Sequence, residues 1–162
     1  MPSKSNSHFM QYYLISVSFH YPMFADEVVK FHYLKSLGKD LGAYRCRVVT
    51  FVLLDDELQL LAGIESGADP SPETYLRDTF RTFAENCPVS FPFRKESEIT
   101  VKSQCVRDDP SDLSELTVQL HAIPRQKGYV RRDRDYWWSG YQTLRGNYRW
   151  ELMNTPYYSA SP

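Results

Sequence analysis

Runs of apolar residues at strand and helix spacing predict the first half of the fold. Residues 11–19 are aromatic and β-branched, and they predict a first strand. The segment 24–41 is amphipathic and predicts a helix. Two further strands, 44–54 and 57–63, are predicted to pair as a hairpin around an acidic turn. In the helix we expect a buried face of Phe24, Val28, Phe31, Leu34 and Leu41, with Lys30, Lys35 and Lys39 outside it.

Helix-start signals and a second alternating run predict the remaining elements. Residues 71–73 read Ser-Pro-Glu, which supplies an N-cap, a proline at the first helical position and an acid in the first turn. We expect that helix to end at 87–88, before a short extended piece at 89–93. Residues 99–106 alternate as a strand. A third helix is predicted over 108–124, where a proline ends or kinks it.

The order strand, helix, strand, strand, helix, strand, helix predicts an α+β fold. It is typical of a ferredoxin-like sandwich, with an antiparallel sheet of four to five strands and helices on one face. We expect residues 1–8 to be a flexible leader, 9–150 a single domain, and 151–162 a C-terminal tail.

Two polar residues interrupt the apolar pattern of the hairpin. Glu57 and Gln59 alternate with Leu58 and Leu60, so both polar side chains are expected on one face of the sheet. A buried polar group without a partner costs on the order of 1–3 kcal/mol, so such a pair on an apolar strand needs a cause. Either this face is a solvated groove, or it carries or once carried chemistry.

Charge is distributed unevenly along the chain. The net charge of −1 and the pI near 6.4 give no general reason to expect nucleic acid or membrane as a partner. Residues 124–150, however, hold seven basic residues against two acidic ones, together with all three tryptophans. The C-terminal third is therefore basic and aromatic, and the remainder is acidic.

Cysteine usage and hydropathy indicate a cytoplasmic protein. Cys46, Cys87 and Cys105 are odd in number and widely spaced, which favours neither a disulfide framework nor a zinc site. Residues 1–8 lack the apolar stretch of an export signal, and the chain has no run of about 18 apolar residues. We therefore expect no membrane association.

Four segments of the chain match motifs of a known family. Residues 135–141, DYWWSGY, are similar to the D-Y-x-W-S-S-Y signature of the REP-associated and insertion-sequence tyrosine transposases of the HUH endonuclease class. Residues 120–130, LHAIPRQKGYV, resemble I-H-L-N-P-V-R-A-G-L-V, and 53–61, LLDDELQLL, resemble V-M-P-N-H-V-H-L-L. Residues 101–103, VKS, fall where members often have F-K-S. The likeness is collinear over residues 12–141.

The resemblance implies a fold and a nucleic-acid ancestry, but the functional positions differ. In the family two histidines with one residue between them bind a divalent metal, and a tyrosine on the last helix attacks the DNA phosphodiester. Those positions fall here on Glu57, Gln59 and Gln119, and a third ligand position falls on Ile123. Neither a carboxamide nor isoleucine can replace them. We therefore expect a degenerate member without catalytic residues or cofactor, with Mg²⁺ or Mn²⁺ only if oxygen ligands have rebuilt the site.

Other tyrosines and histidines are weaker candidates. Tyr12, Tyr75 or Tyr129 would be the substitute nucleophile in a rebuilt site, although most tyrosines need only a packing role. The histidines His20, His32 and His121 have no spacing that pairs them as ligands.

The basic and aromatic segment carries the predicted DNA contacts, since cations neutralise phosphates and aromatic rings stack on bases. The expected phosphate contacts are Arg131, Arg132 and Arg134, then Arg125 and Lys127, and the expected stacking residues are Tyr136 and Trp137. In the structural alternative, Trp137, Trp138 and Tyr141 pack on the sheet, and Asp133 and Asp135 pair with nearby arginines.

Three functional hypotheses follow from these observations. The first is a catalytically inactive, transposase-like protein that binds hairpin or single-stranded DNA in an accessory or regulatory role. The second is a divergent metal-dependent nickase or transposase. The third is a protein-interaction module, in which the acidic residues Asp55, Asp56 and Glu57 repel phosphate and a partner protein covers the sheet.

Overall fold

The computed structural model describes residues 9–20, 22–87 and 99–153. The leader at 1–8, the extended piece expected at 89–93 and the chain beyond Met153 lie outside the described residues. The strands are β1 (Met10–Phe19), β2 (Cys46–Leu53), β3 (Glu57–Glu65) and β4 (Ile99–Val106). The helices are α1 (Glu27–Ala43), α2 (Pro72–Asn86), α3 (Pro110–Gln126) and the short α4 (Tyr141–Leu144), and 3-10 turns span Asp133–Asp135 and Glu151–Met153.

The sheet has the strand order β2-β3-β1-β4, and every neighbouring pair is antiparallel. This is the ferredoxin-like arrangement that the order of elements predicts, so the predicted fold class is confirmed. In the register, Ser16 of β1 lies opposite Gln59 of β3, and Ser18 lies opposite Glu57. Residues directly opposite one another share a face, so these four polar side chains project from the same side of the sheet.

Helices α1 and α2 pack on the first face of the sheet around a cluster of aromatic rings. The ring of Phe19 on β1 lies 4.7 Å from Phe24, 6.2 Å from Tyr33 and 5.1 Å from Phe80, measured between centroids. These side chains are almost completely removed from water. Each ring of this size adds several kcal/mol of apolar burial, so the cluster sets how both helices lie on β1.

The buried face of α1 differs from the predicted one. The helix begins at Glu27, with Asp26 as its N-cap, and Val28 and Phe31 are 53% and 41% exposed. Lys30, expected at the surface, is 3% exposed because its ammonium reaches Asp55 Oδ1 at 2.6 Å. The buried face instead carries Val29, Tyr33 and Leu37 at helical spacing, so the expectation that Val28 and Phe31 are buried is wrong.

Helix α3 lies on the second face, where it contacts β2 and β3. Its N-cap is Asp109, and it continues through Pro124 to Gln126. The apolar side chains of Leu113, Leu116 and Ile123 pack half-buried against the core, and Leu120 is fully buried. The second face is thus covered over β2 and part of β3 by the helix that follows β4, so the expectation that the helices lie on one face of the sheet is corrected.

The C-terminal segment continues past the predicted domain boundary. The expectation that the tail begins at residue 151 is corrected, because Leu152 and Met153 are buried in the 3-10 turn Glu151–Met153. That turn packs on α1 at Gly38, where a Cβ would lie 2.9 Å from the backbone nitrogen of Leu152. Only a glycine allows the two backbones to approach so closely.

Gly140 provides a sharp test of this packing. A Cβ at this position would overlap the Thr50 hydroxyl and would lie 2.9 Å from the sulfur of Met153 and 3.2 Å from the Phe51 nitrogen. We expect Gly140→Ala to lower the free energy of unfolding by about 1–3 kcal/mol, as overpacking of a core does. The matched control is Gly42→Ala, because a Cβ there meets nothing within 4 Å. The control should be neutral or stabilise α1 by about 0.5–1 kcal/mol. Denaturant unfolding of both variants measures the difference, and equal losses would contradict this account.

Candidate functional site

Glu57 and Gln59 on β3 form a closed polar network on the second face. Gln59 Nε2 donates to Ser16 Oγ at 3.0 Å and also to Glu57 Oε1. Lys127, just past the end of α3, donates from Nζ to Glu57 Oε2 at 2.8 Å. Because successive strand residues point to opposite faces, Glu57 and Gln59 share one face, as predicted. The lysine that completes the network lies 70 residues later in the chain.

The chemistry of this network does not suit a hard dication. The hydrogen bond with the Glu57 carboxylate raises the pKa of Lys127, so the lysine remains an ammonium. A cation of that charge at hydrogen-bond distance opposes a divalent ion at the same carboxylate. Within the described residues there is no cluster of three His, Cys, Asp or Glu side chains that would hold a metal. The residues at the family's ligand positions therefore do not fit the metal that the resemblance implies.

The acidic residues of the β2–β3 turn do not act as one patch. Asp55 pairs with the buried Lys30, and its backbone carbonyl accepts from the Phe24 N–H at 2.8 Å. Glu57 pairs with Lys127 instead. Asp56 remains exposed, and its carbonyl accepts from the Phe19 N–H at 2.9 Å. Two of the three carboxylates are thus neutralised by separate cations.

The helix position that corresponds to the family nucleophile carries no reactive group. Gln119 is exposed on α3, and its amide donates to Glu115 Oε1 at 3.4 Å, one turn earlier. Ile123, one turn later on the same helix, is half-buried against the core. A carboxamide and an aliphatic side chain offer neither a nucleophile nor a metal ligand at this place.

His121 is a buried, hydrogen-bonded core residue. Its Nε2 lies 2.7 Å from the Thr50 hydroxyl on β2, and the Tyr141 ring meets the imidazole edge to face at 5.5 Å. Burial lowers the pKa of His121 to about 4. The imidazole is therefore neutral at physiological pH, and its hydrogen bond joins α3 to β2.

The three substitute tyrosines lie in different environments. Tyr12 is buried over Gly63. Tyr75 donates its hydroxyl to the Asp40 carbonyl at 2.5 Å. Tyr129 is 39% exposed beside Asp55, and burial raises its pKa. A raised pKa opposes formation of the phenolate, so Tyr129 has no activation of the kind a nucleophile needs.

The basic segment after α3 is only partly available to a ligand. Arg125 pairs with Asp133 at 2.7 Å, and Arg132 pairs with Asp135 at 2.9 Å. Lys127 is bound to Glu57, as described above. Arg131 and Arg134 are exposed and make no ion pair with any described residue. These two arginines are thus the most available of the five predicted phosphate contacts.

The aromatic residues of the same segment divide between core and surface. The expectation that Tyr136 contacts DNA is corrected, because the ring is 6% exposed and its hydroxyl donates to the Leu53 carbonyl at 2.6 Å. Trp138 is also buried, and its backbone carbonyl accepts from the Leu53 N–H at 2.9 Å. Trp137 is 43% exposed, although its ring, like that of Trp138, lies near the buried Trp150, at centroid distances of 6.1 Å and 5.5 Å respectively. Trp137 is therefore the exposed member of this aromatic cluster.

Comparison with solved structures shows the fold. No family profile matches the chain, and no curated protein sequence matches it. A solved structure of a REP-associated tyrosine transposase bound to a REP hairpin superposes with a TM-score of 0.64 at 13% sequence identity. The match covers 93% of this chain and 90% of that one. The chain has the fold of a REP-associated tyrosine transposase. At this identity the likeness establishes the fold and leaves the activity to be argued from the site.

No described helix has both the length and the apolar character that crossing a bilayer requires.

The titration of His121 gives a measurable consequence. The unfolded histidine binds a proton below its ordinary pKa of 6.5, whereas the folded one stays neutral down to about 4. Stability should therefore fall as the pH drops through this window, by about 1.4 kcal/mol per pH unit and about 3 kcal/mol in all from this group. We expect His121→Gln, which can keep a hydrogen bond to Thr50, to lose this part of the slope. Urea unfolding from pH 4 to pH 7 measures it, and an identical slope in both proteins would refute the assignment.

Proposed function

We propose that this protein binds hairpin or single-stranded DNA in an accessory or regulatory role and does not cut it. The observation that carries the proposal is the pair of unpaired cations, Arg131 and Arg134, on a fold shared with a transposase that was solved on a DNA hairpin. Exposed guanidinium groups bind phosphates in bidentate geometry, so they suit a nucleic-acid backbone. We expect such a protein to act in the cytoplasm.

The proposed loss of catalysis rests on three replacements and their contacts. Gln119 has no nucleophilic atom, and Gln59 is engaged with Ser16 and Glu57. The one carboxylate at the ligand positions, Glu57, is neutralised by the Lys127 ammonium. A phosphoryl-transfer site requires both an activated nucleophile and a cation at the scissile phosphate, and neither is available from these side chains. In this respect the protein is proposed to be a degenerate relative.

The pairing of Glu57 with Lys127 also bears on DNA binding itself. An unpaired carboxylate beside a phosphate backbone is unfavourable, whereas a carboxylate held by an ammonium is electrically neutral. The second face therefore repels DNA less than its acidic sequence suggests. This favours DNA over the protein-interaction hypothesis for the region next to α3.

We expect charge reversal at the two free arginines to weaken DNA binding. Arg131→Glu/Arg134→Glu should reduce hairpin affinity by about 10-fold or more. The plot of log K against log salt should also become shallower, by about one unit of slope for each of the two lost phosphate contacts. The matched control is Lys39→Glu, an exposed α1 residue on the opposite side of the sheet, which should change affinity by less than about 2-fold. Fluorescence anisotropy with a labelled hairpin at two salt concentrations measures both. A wild-type protein without salt-sensitive binding would refute the proposal.

We further expect no cleavage of bound DNA. With Mg²⁺ or Mn²⁺ present, a labelled hairpin or single strand should remain full length, and no strand should become linked to protein on a denaturing gel. If nicking appears and is lost in Glu57→Ala, the divergent-nickase hypothesis would replace this one. A salt-resistant complex with another protein, together with no DNA binding, would instead support the interaction module.

A further inference from the structure

A groove lies between the outer face of α1 and the chain around residues 148–151. It encloses a cavity of about 180 Å³. Its walls include Phe31 and Lys35 from α1 and Tyr148, Arg149, Trp150 and Glu151 from the C-terminal segment. The groove is remote from the Glu57–Lys127 network, because α1 packs on the first face of the sheet and that network lies on the second. Of the residues expected above to contact DNA, only Trp137 lies near it, beside the lining residue Tyr148.

Two aromatic rings at this groove are exposed, and one of them, Trp137, is held in place by neighbouring rings. Phe31 is 41% exposed, and Trp137, at the rim beside Tyr148, is 43% exposed. The Trp137 ring lies 4.9 Å from Tyr148, and Tyr148 lies 4.7 Å from the buried Trp150. A ring that is already fixed by its neighbours loses little conformational freedom when a planar ligand stacks on it. Exposed apolar patches rimmed by polar residues often mark binding sites.

The charges at the groove are suited to phosphate. Lys35 and Arg149 are both exposed and make no ion pair with any described residue. Glu151 is the acidic side chain among the lining residues, and it is also exposed. Two free cations against one carboxylate leave the groove positive, although the whole chain carries a net charge of −1.

We propose that this groove is a second nucleic-acid site, which binds an unpaired DNA segment. One base stacks on the exposed face of Trp137 or Phe31, and Lys35 and Arg149 neutralise the flanking phosphates. Fixed aromatic platforms with cations beside them bind single strands with little sequence preference, because every base has a flat face. A closed duplex hides those faces in its stack, so the groove distinguishes unpaired from paired DNA.

This inference rests on the proposed function but concerns a different surface. One DNA molecule could occupy both surfaces, with its hairpin at Arg131 and Arg134 and its unpaired strand at α1. The strand between them would pass the β2 edge of the sheet, where residues 138–140 lie alongside β2. The two surfaces are independent enough to be inactivated separately. That separation makes the proposal testable without ambiguity.

The test compares a short labelled oligothymidine strand with a hairpin that has a fully paired stem and a compact loop, both by fluorescence anisotropy on the full chain. We expect Trp137→Ala and, independently, Lys35→Glu/Arg149→Glu to weaken oligothymidine binding by about 10-fold, while hairpin affinity changes by less than about 2-fold. Trp137→Phe, which keeps a ring, should retain most of the binding. The matched charge control is Arg145→Glu on the far side of the segment, whose guanidinium lies over the Tyr141 ring and which should leave oligothymidine binding unchanged.

The outcomes separate the two proposals. If the wild-type protein binds neither the hairpin nor oligothymidine, both the proposed function and the groove proposal are overturned. If it binds the hairpin, but oligothymidine binds weakly or is unaffected by both groove variants, only the groove proposal is overturned. Ultraviolet crosslinking of oligothymidine followed by peptide mapping gives an independent readout, with the adduct expected on Trp137, Tyr148 or Phe31. Thermal unfolding of each variant verifies that weaker oligothymidine binding does not result from unfolding. If Trp137→Ala fails to fold, the Lys35→Glu/Arg149→Glu variant still tests the proposal.

Discussion

The ion pair between Lys30 and Asp55 is the contact on which the arrangement of this molecule depends. It joins α1 to the β2–β3 turn at 2.6 Å, with the lysine side chain 4% exposed and the aspartate 33% exposed. The Lys30 ammonium also donates to the Phe24 carbonyl and lies 5.9 Å from the centre of the Trp138 ring. A charge removed from water in this way requires all its partners, since loss of one partner leaves an uncompensated charge in the interior. The helix, the turn and the C-terminal segment are thereby held in one geometry.

That geometry determines which acidic groups remain for a ligand. With Asp55 committed to Lys30 and Glu57 committed to Lys127, the turn that looks most acidic in the sequence is largely neutralised. The two cations approach from opposite faces of the sheet and so divide the acidic cluster between them. A divalent ion at this turn would compete with the two ammonium groups, because each of these carboxylates already has an internal counter-ion. The same charge compensation makes the turn less repulsive to a nearby phosphate.

The C-terminal segment links the two sides of the sheet. It leaves α3 beside Glu57, lies along β2 through the Trp138 and Gly140 backbones, and ends on α1 with Leu152 buried. This course divides its basic and aromatic residues among separate surfaces. Arg131 and Arg134 remain near the end of α3, whereas Trp137 and Arg149 reach the groove at α1. A segment that reads as one nucleic-acid motif therefore supplies two surfaces and part of the core.

Local periodicity determined much of this protein without reference to distant residues. The order of strands and helices, the Asp109 and Ser71 helix starts, and the shared face of Glu57 and Gln59 all follow from spacing of two or 3.6 residues and from capping chemistry. The sequence also showed that Gln119, Gln59 and Ile123 stand where the family it resembles has its functional residues. Only the tertiary structure decided that Lys30 is buried against Asp55, that Tyr136 lies in the core, and that Lys127 neutralises Glu57. Each of these depends on pairs of residues far apart in the chain, whose approach is set by packing and charge compensation, and no local spacing encodes such a pairing.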